Sequence, residues 1–284
     1  MSRYLDPKAD IVFKKIFGEH PHLLKSFLNA VLPLPQDGQI VDLTYLPTEQ
    51  IPQLPVLKRT IADARCIDSQ GRVFIVEMQV EWEYWFKQRL LFEAGQAFVK
   101  QLKQGENYHL LEPVYGVGLI ADIFDHDTPQ WYHHYQLVNM GKSVKDIIEH
   151  LQLVFIELPK FPVHSPDEKK LKLLWLRFMR EINEETKTVS PELLSVPEIS
   201  EAISLSEEAA YTLGEMRYYE SYWDQVRREK SMIISKYEKG RAEGRAEGRV
   251  DGLKTIALKM REESMDIAAI SRLTGLSEIE IGEL

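Results

Sequence analysis

The stretch that most constrains this chain is IADARCIDSQGRVFIVEMQV, residues 61–80. Apolar residues alternate on both sides of the polar cluster Asp68, Ser69, Gln70, Gly71 and Arg72, the pattern of two short strands joined by a tight turn. With Ser69, Gln70 and Gly71 as a three-residue loop, and Gly71 in the left-handed conformation, Asp68 pairs with Arg72 and the register is set. Asp63 then faces Glu77 across the ladder at about 4.5–5.5 Å, where like charges are destabilising. In the second strand Phe74, Val76, Met78 and Val80 make one apolar face, while the other begins with Val73 and Ile75 and ends with Glu77 and Gln79. The carboxylates therefore share the end of a buried face, where they hold a divalent cation or one of them takes a proton. A turn of two or four residues would instead slip the register by one and put Asp63 and Glu77 on opposite faces.

Composition narrows the classes open to such a hairpin. A chain of 284 residues, 44% apolar, can bury a sizeable core in one or two domains. No window approaches about 18 uninterrupted apolar residues, and MSRYLDPKAD lacks the apolar core of a signal peptide, so neither a membrane span nor secretion is expected. The cytoplasm is the default compartment. The single cysteine, Cys66, excludes an intrachain disulfide and a cysteine-based zinc cluster, and its parity with Ala62 and Ala64 makes it a small packed hydrophobe. A net charge of -9 supplies no global basic field toward nucleic acid or anionic lipid, so any DNA contact is local or metal-assisted. A phosphate-cradling glycine loop, an HExxH helix and a GxSxG elbow are all lacking, and His133 and His134 point to opposite faces of one strand.

In chain order, Asp6 and Pro7 read as an N-cap followed by proline at the first helical position, with Gly18 as C-cap. Phe13, Ile16 and Phe17 give that helix its buried side, and Asp10 lies one turn earlier beside Lys14, where it either complements the helix dipole or serves a site. A second helix spans His22 to Leu32, Ile40 to Leu46 alternates as a strand, and the proline-rich TEQIPQLPVLK leads to the hairpin. Glu81 to Gln104 reads as a helix of about six turns ending at Gly105. Its aromatic start, Trp82, Tyr84, Trp85 and Phe86, is expected to pack rather than to stack bases. Arg89 and Gln96 share a helical face with Trp85, Phe92 and Val99, which should be buried, so each either finds a carboxylate partner or lies at the helix edge. Strands follow at Pro113–Ile123, Trp131–Val138 and Leu153–Leu158.

The fragments DPKADIVFKKIFG (6–18), DARCIDSQGRVFIVEMQ (63–79), RLLFEAGQAFVKQLKQGENYHLLEPVYGVGLI (89–120) and FIELPKF (155–161) together resemble the recombination-promoting nuclease family, also described as PD-(D/E)XK nuclease family transposases. The resemblance covers most of residues 3–162. It implies an α/β (α+β), restriction-endonuclease-like core of a mixed sheet flanked by helices, and a metal-dependent endonuclease that hydrolyses DNA in recombination or transposition. Asp63 and Glu77 match the motif acids, and Asp10 matches the acidic residue of the first helix that completes the shell around Mg²⁺ or another divalent cation. Gln79 stands where the wider superfamily has lysine; it can orient the attacking water but supplies no positive charge. Lys14, Arg65 and Arg89 are the basic side chains able to stand in for that lysine at a phosphate, and Gln96 joins Arg89 as a supporting contact. The alternative reading is a nuclease fold that acts by binding protein or DNA without cleavage.

The remainder differs in texture, which divides the chain into a nuclease-like domain (1–164), a helical extension (165–239) and a tail (240–284). Helices are expected at Asp167–Asn183 and Glu207–Tyr237. The tail opens on a period-four repeat that places Gly240, Gly244, Gly248 and Gly252 on one helical stripe between arginine and acidic columns. It is either a solvated linker or a helix that pairs with another copy, making a homo-oligomer through the C-terminal helices. Residues 265–284 resemble a helical hairpin turning at Gly275; its acidic second helix, with Glu278, Glu280 and Glu283, suits packing or protein contact rather than DNA.

Overall fold

The computed structural model describes residues 3–47, 49–50, 60–61, 63–141, 146–162 and 170–284. In chain order the elements are α1 (Asp10–Phe13, continued by the π-helical turn Lys14–Gly18), α2 (Pro21–Val31), β1 (Thr44–Tyr45), β2 (Glu49–Gln50), β3 (Thr60–Ile61), β4 (Ala64–Ile67), β5 (Val73–Gln79) and α3 (Phe86–Val99). Then come β6 (Val114–Ile120), β7 (Tyr132–Val138), β8 (Ile147–Glu157), α4 (Lys170–Glu181), α5 (Pro191–Leu194), α6 (Pro197–Leu205), α7 (Leu213–Glu262), α8 (Ile267–Thr274) and α9 (Glu278–Gly282). One sheet has the order β1-β4-β5-β6-β8-β7; β5, β6 and β8 are parallel and the flanking pairs antiparallel. This is the mixed, helix-flanked sheet of a restriction-endonuclease-like fold. β2 and β3 form a separate antiparallel pair, and most of the proline-rich stretch between them lies outside the described residues.

The hairpin has the three-residue turn. Gly71 adopts φ +82°, the Asp68 N–H donates to the Arg72 carbonyl at 3.1 Å, and β4 pairs with β5 from Ala64↔Val76 to Ile67↔Val73. The Asp68 carboxylate accepts the Gln70 N–H at 3.0 Å, the Arg72 N–H at 2.9 Å and the Arg72 guanidinium at 2.7 Å, with both residues buried. Breaking one side of such a buried pair costs about 3–5 kcal/mol. β5 is covered on both faces. Phe74 and Val76 pack with α1, α2, α4 and α6, whereas Val73 and Ile75 lie beneath Phe86, Leu90, Ala94 and Ala97 of α3.

Several elements differ from their sequence expectation. The first helix starts at Asp10, because Asp6 closes a turn of its own: its carboxylate accepts the Lys8 N–H at 2.9 Å and its carbonyl accepts the Ala9 N–H at 3.0 Å. Gly18 ends the π-helical turn without a positive φ. Only Thr44 and Tyr45 of the expected first strand pair, since the Asn29 side chain takes both backbone groups of Ile40, at 2.8 and 2.9 Å. The long helix shrinks to α3. Trp82 is held before it by its N–H to Asp122 at 3.0 Å, and a turn from Glu83 to Phe86 leads in. The face expected to be buried is the open one, with Trp85, Phe92 and Val99 at 67%, 43% and 73% exposure. The reason lies on β6, where Gly116 and Gly118 admit Leu90 and Phe86 and so choose which side of α3 meets the sheet.

Met1–Val226 and Arg227–Leu284 form two compact units. In the first, α4 and α6 share one core with α1, α2 and the sheet, around Trp175, Phe17 and Phe27. In the second, Ala257, Ile270, Leu276 and Ile281 pack together; Gly275 ends α8 at φ +73° and a Ser277–Glu280 capping box starts α9. The period-four repeat is helical, and a Cβ on Gly240, Gly244, Gly248 or Gly252 would meet nothing within 4 Å.

A Cβ at Gly118 would stand 2.8 Å from Phe86 Cε1 and 2.9 Å from Phe155 Cδ1. Gly118→Ala is therefore expected to lower stability by about 1–3 kcal/mol in urea denaturation. An unchanged midpoint would contradict the close seating of α3 on β6.

Candidate active site

β4 begins opposite Val76, so among the described residues the last positions of β5 have no paired strand on that side. Asp63 stands just ahead of β4 and fills the gap, its Oδ2 accepting the Met78 N–H at 2.7 Å. On the other side the pairing with β6 continues to Gln79↔Ile120. The C-terminal end of β5 thus presents Glu77 and Gln79 beside an aspartate, at the carboxyl ends of parallel strands where open α/β sheets place their ligands.

Burial is the largest influence on both motif acids, and Arg89 and Lys14 oppose it. Glu77 is 5% exposed. Burial, then the Asp63 and Glu93 charges, push its carboxyl up to about 9, while Arg89 opposes the rise. Burial also pushes Asp63 up, against the Met78 N–H and Lys14, which pull it down. Oε1 of Glu77 is buried and has no hydrogen-bond partner.

Asp10 lies close by, on α1, with Oδ1 2.7 Å from Lys14 Nζ and Oδ2 accepting the Tyr218 hydroxyl at 3.0 Å. Burial works against the Lys14 charge, but Asp10 and then Asp63 outweigh it and raise its pKa. Arg89, in the first turn of α3, has Nη2 3.8 Å from Glu77 Oε2 and donating to Gln79 Oε1 at 2.7 Å, while Nη1 donates to Glu83 at 2.8 Å. Gln79 spends its amide N–H on the Glu81 carbonyl at 2.7 Å. So Gln79 aims an arginine, which stands near the acids in place of a lysine.

The other two candidates sit elsewhere. Arg65 reaches the Pro47 carbonyl at 3.3 Å and lies near Lys100, past the far end of α3 from Arg89. Gln96 is about two turns along α3 from Arg89. Two kinds of residue escaped the sequence reading. Glu93 is 1% exposed and meets the Glu77 carboxyl within hydrogen-bonding range. Its place seven residues after Phe86 and three after Leu90 marks it as inward once Phe86 is known to be core. Tyr218 and Tyr222, from the start of α7, add hydroxyls raised by burial and by Asp10. Nothing local in the sequence links them to residues two hundred positions earlier.

Among the described residues no group of three or more His, Cys, Asp and Glu stands ready to enclose a metal ion. The donor chemistry at Asp63 and Glu77 nevertheless fits a hard divalent cation, because a buried, unpartnered carboxylate oxygen is the ligand such an ion takes.

A mixed sheet with helices on both faces, and a buried Glu77 beside a part-buried Asp63 at the end of its central hairpin, is the arrangement of the PD-(D/E)XK nucleases. The chain belongs to the family described as PD-(D/E)XK nuclease family transposase, whose model matches residues 7–236. No curated protein and no solved structure matches it. The family match runs beyond the resemblance legible in 3–162 and takes in α4–α6 and the first part of α7.

Because Glu77 is raised from the ordinary carboxylate range to about 9, its neutral form is favoured in the fold. Its contribution is fully present below about pH 4.3 and is lost as pH rises through the folded value. In chelator, Glu77→Gln should therefore gain thermal stability relative to the unsubstituted chain between pH 5 and pH 9, by about 1.4 kcal/mol for each pH unit over which the shift is realised. Parallel melting curves for the two proteins across that range would mean that Glu77 ionises freely.

Proposed function

We propose that this chain is a cytoplasmic, metal-dependent DNA endonuclease that acts in recombination or transposition. The observation that carries this reading is the pair Asp63 and Glu77, held together at the end of β5 with a buried oxygen left unpartnered. Family membership points the chemistry to a DNA phosphodiester. Asp63 and Glu77 hold Mg²⁺ or another hard divalent cation through oxygen, with Asp10 standing beside them in its pair with Lys14. Such a cation, when bound, lowers the pKa of its water and offsets charge developing on the phosphate.

The chain's own residues then divide the remaining work. The Met78 N–H fixes the orientation of Asp63. Arg89, clamped by Gln79 and Glu83, offers guanidinium N–H groups to a phosphate oxygen and supplies the charge that Gln79 lacks. Lys14, half-exposed on the Asp10 side, is a second phosphate contact. The second unit supports self-association: two copies of the repeat helix set the column of Arg241, Arg245 and Arg249 against that of Glu243, Glu247 and Asp251. A chain ending at Lys239 should then show a lower oligomer mass by light scattering than the full chain, beyond the mass removed.

Supercoiled plasmid with and without Mg²⁺ tests the catalytic reading. Asp63→Ala and Glu77→Ala should abolish nicking while the far-UV spectrum stays unchanged, and Arg89→Ala should slow it by about 10²–10³-fold, the range for losing one donor to a developing charge. DNA binding without metal-dependent cleavage by the unsubstituted chain would favour the non-catalytic reading of the same fold.

A further inference from the structure

We propose that Tyr84 and Trp85 stack on an unpaired nucleobase, so that the DNA strand meeting this site is single-stranded where it passes the start of α3. The proposal rests on the reading of the Asp63–Glu77 end of β5 as a place that takes DNA. The two rings are 74% and 67% exposed. Their centroids lie 4.6 Å apart and their planes at 90°. Two perpendicular rings do not cover one another's faces, so a broad aromatic face stays open to a ligand.

The backbone holds both rings in place. The Phe86 N–H donates to the Glu83 carbonyl and the Arg89 N–H to the Trp85 carbonyl, each at 2.9 Å. Their aromatic neighbours do the packing: Trp82 stacks on Phe124 at 4.7 Å, and Phe86 is buried against Gly118. The aromatic start of this segment thus divides, with Trp82 and Phe86 turned into the core and Tyr84 and Trp85 turned out of it. Two large rings left in water contribute little to the fold.

Arg89 joins the rings to the site. It follows Trp85 by one turn, a spacing of roughly 5–6 Å between Cβ atoms. Its side chain, bonded to Gln79 and Glu83, is 33% exposed, so a phosphate that meets it brings a base beside Trp85. A helix or strand of another protein would need a continuous apolar strip, and between Trp85 and Phe92 the same side of α3 carries Gln88 and Arg89. In a duplex the base faces are covered by their neighbours, whereas an unpaired base has a π-face free for a ring.

Fluorescence anisotropy of the full chain with a labelled oligothymidylate and with a duplex of the same length, in Ca²⁺ and again in chelator, tests this without reference to cleavage. Tyr84→Ala combined with Trp85→Ala should keep the melting temperature, weaken single-strand binding at least about tenfold and leave duplex binding nearly unchanged. Phenylalanine at both positions should restore single-strand binding. Leucine at both, which keeps apolar area without a π-face, should weaken it as alanine does, and it serves if the alanine chain does not fold. Unchanged single-strand affinity, or an equal loss on single strand and duplex, would overturn the role of the two rings and leave DNA as the ligand of the site. A lower oligomer mass in the alanine chain with unchanged single-strand affinity would assign the rings to a second copy instead. Binding of neither DNA by the unsubstituted chain would overturn both readings.

Discussion

The Asp68–Arg72 ion pair closes the turn between β4 and β5, and a slip of one residue there would turn every side chain of β5 to the opposite face. Because the turn holds, Glu77 points under α3 and the next backbone N–H, that of Met78, is free for Asp63 to accept. The candidate site is thus set by a buried charge pair at the other end of the same hairpin. β4 stops short of Asp63, so the aspartate side chain does what a strand carbonyl would otherwise do. A longer β4 would have paired with Met78 and removed the reason for a carboxylate to turn in.

Bringing acids together in a dry place is unfavourable, and the surroundings only partly compensate. Burial dominates at both Asp63 and Glu77, with Arg89 and Lys14 opposing it from outside. Each of those cations is itself committed, Arg89 to Gln79 and Glu83, Lys14 to Asp10. Under the proposed function, a divalent ion and an anionic ligand arriving together would offset this repulsion.

The helical region after the sheet belongs to the same core. Trp175 of α4 meets Phe17 at a tilt and Phe27 edge-on, and its indole N–H donates to Ser26 at 3.1 Å. Tyr219 accepts the Asp6 N–H at 3.0 Å, and one residue earlier Tyr218 reaches Asp10. The start of α7 therefore positions α1 and touches the site in the same turn, which gives a physical reason for the family match to extend through it.

Local pattern in the sequence determined the hairpin, its three-residue turn and the register from Ala64 to Ile67, because strand alternation and turn chemistry act over a few residues; the expected ladder pairing of Asp63 with Glu77 does not form, since β4 starts at Ala64 and the Asp63 carboxylate accepts the Met78 N–H instead. It also placed β6, β7 and α2 within a residue or two at most ends, and it brought Asp10, Lys14 and Arg89 to the neighbourhood of the acids through the resemblance. Only the tertiary structure decided which face of α3 is buried. Trp85, Phe92 and Val99 are as apolar as Phe86, Leu90 and Ala97, and the choice between the stripes is made by Gly116 and Gly118 on a strand that comes later in the chain. That choice put Glu93 beside Glu77 and left Gln96 on another part of the helix. It was also tertiary contact that gave Gln79 to Arg89, turned Arg65 toward Pro47 and carried Tyr218 to Asp10, since the partner in each case is fixed by packing between elements and not by spacing along the chain.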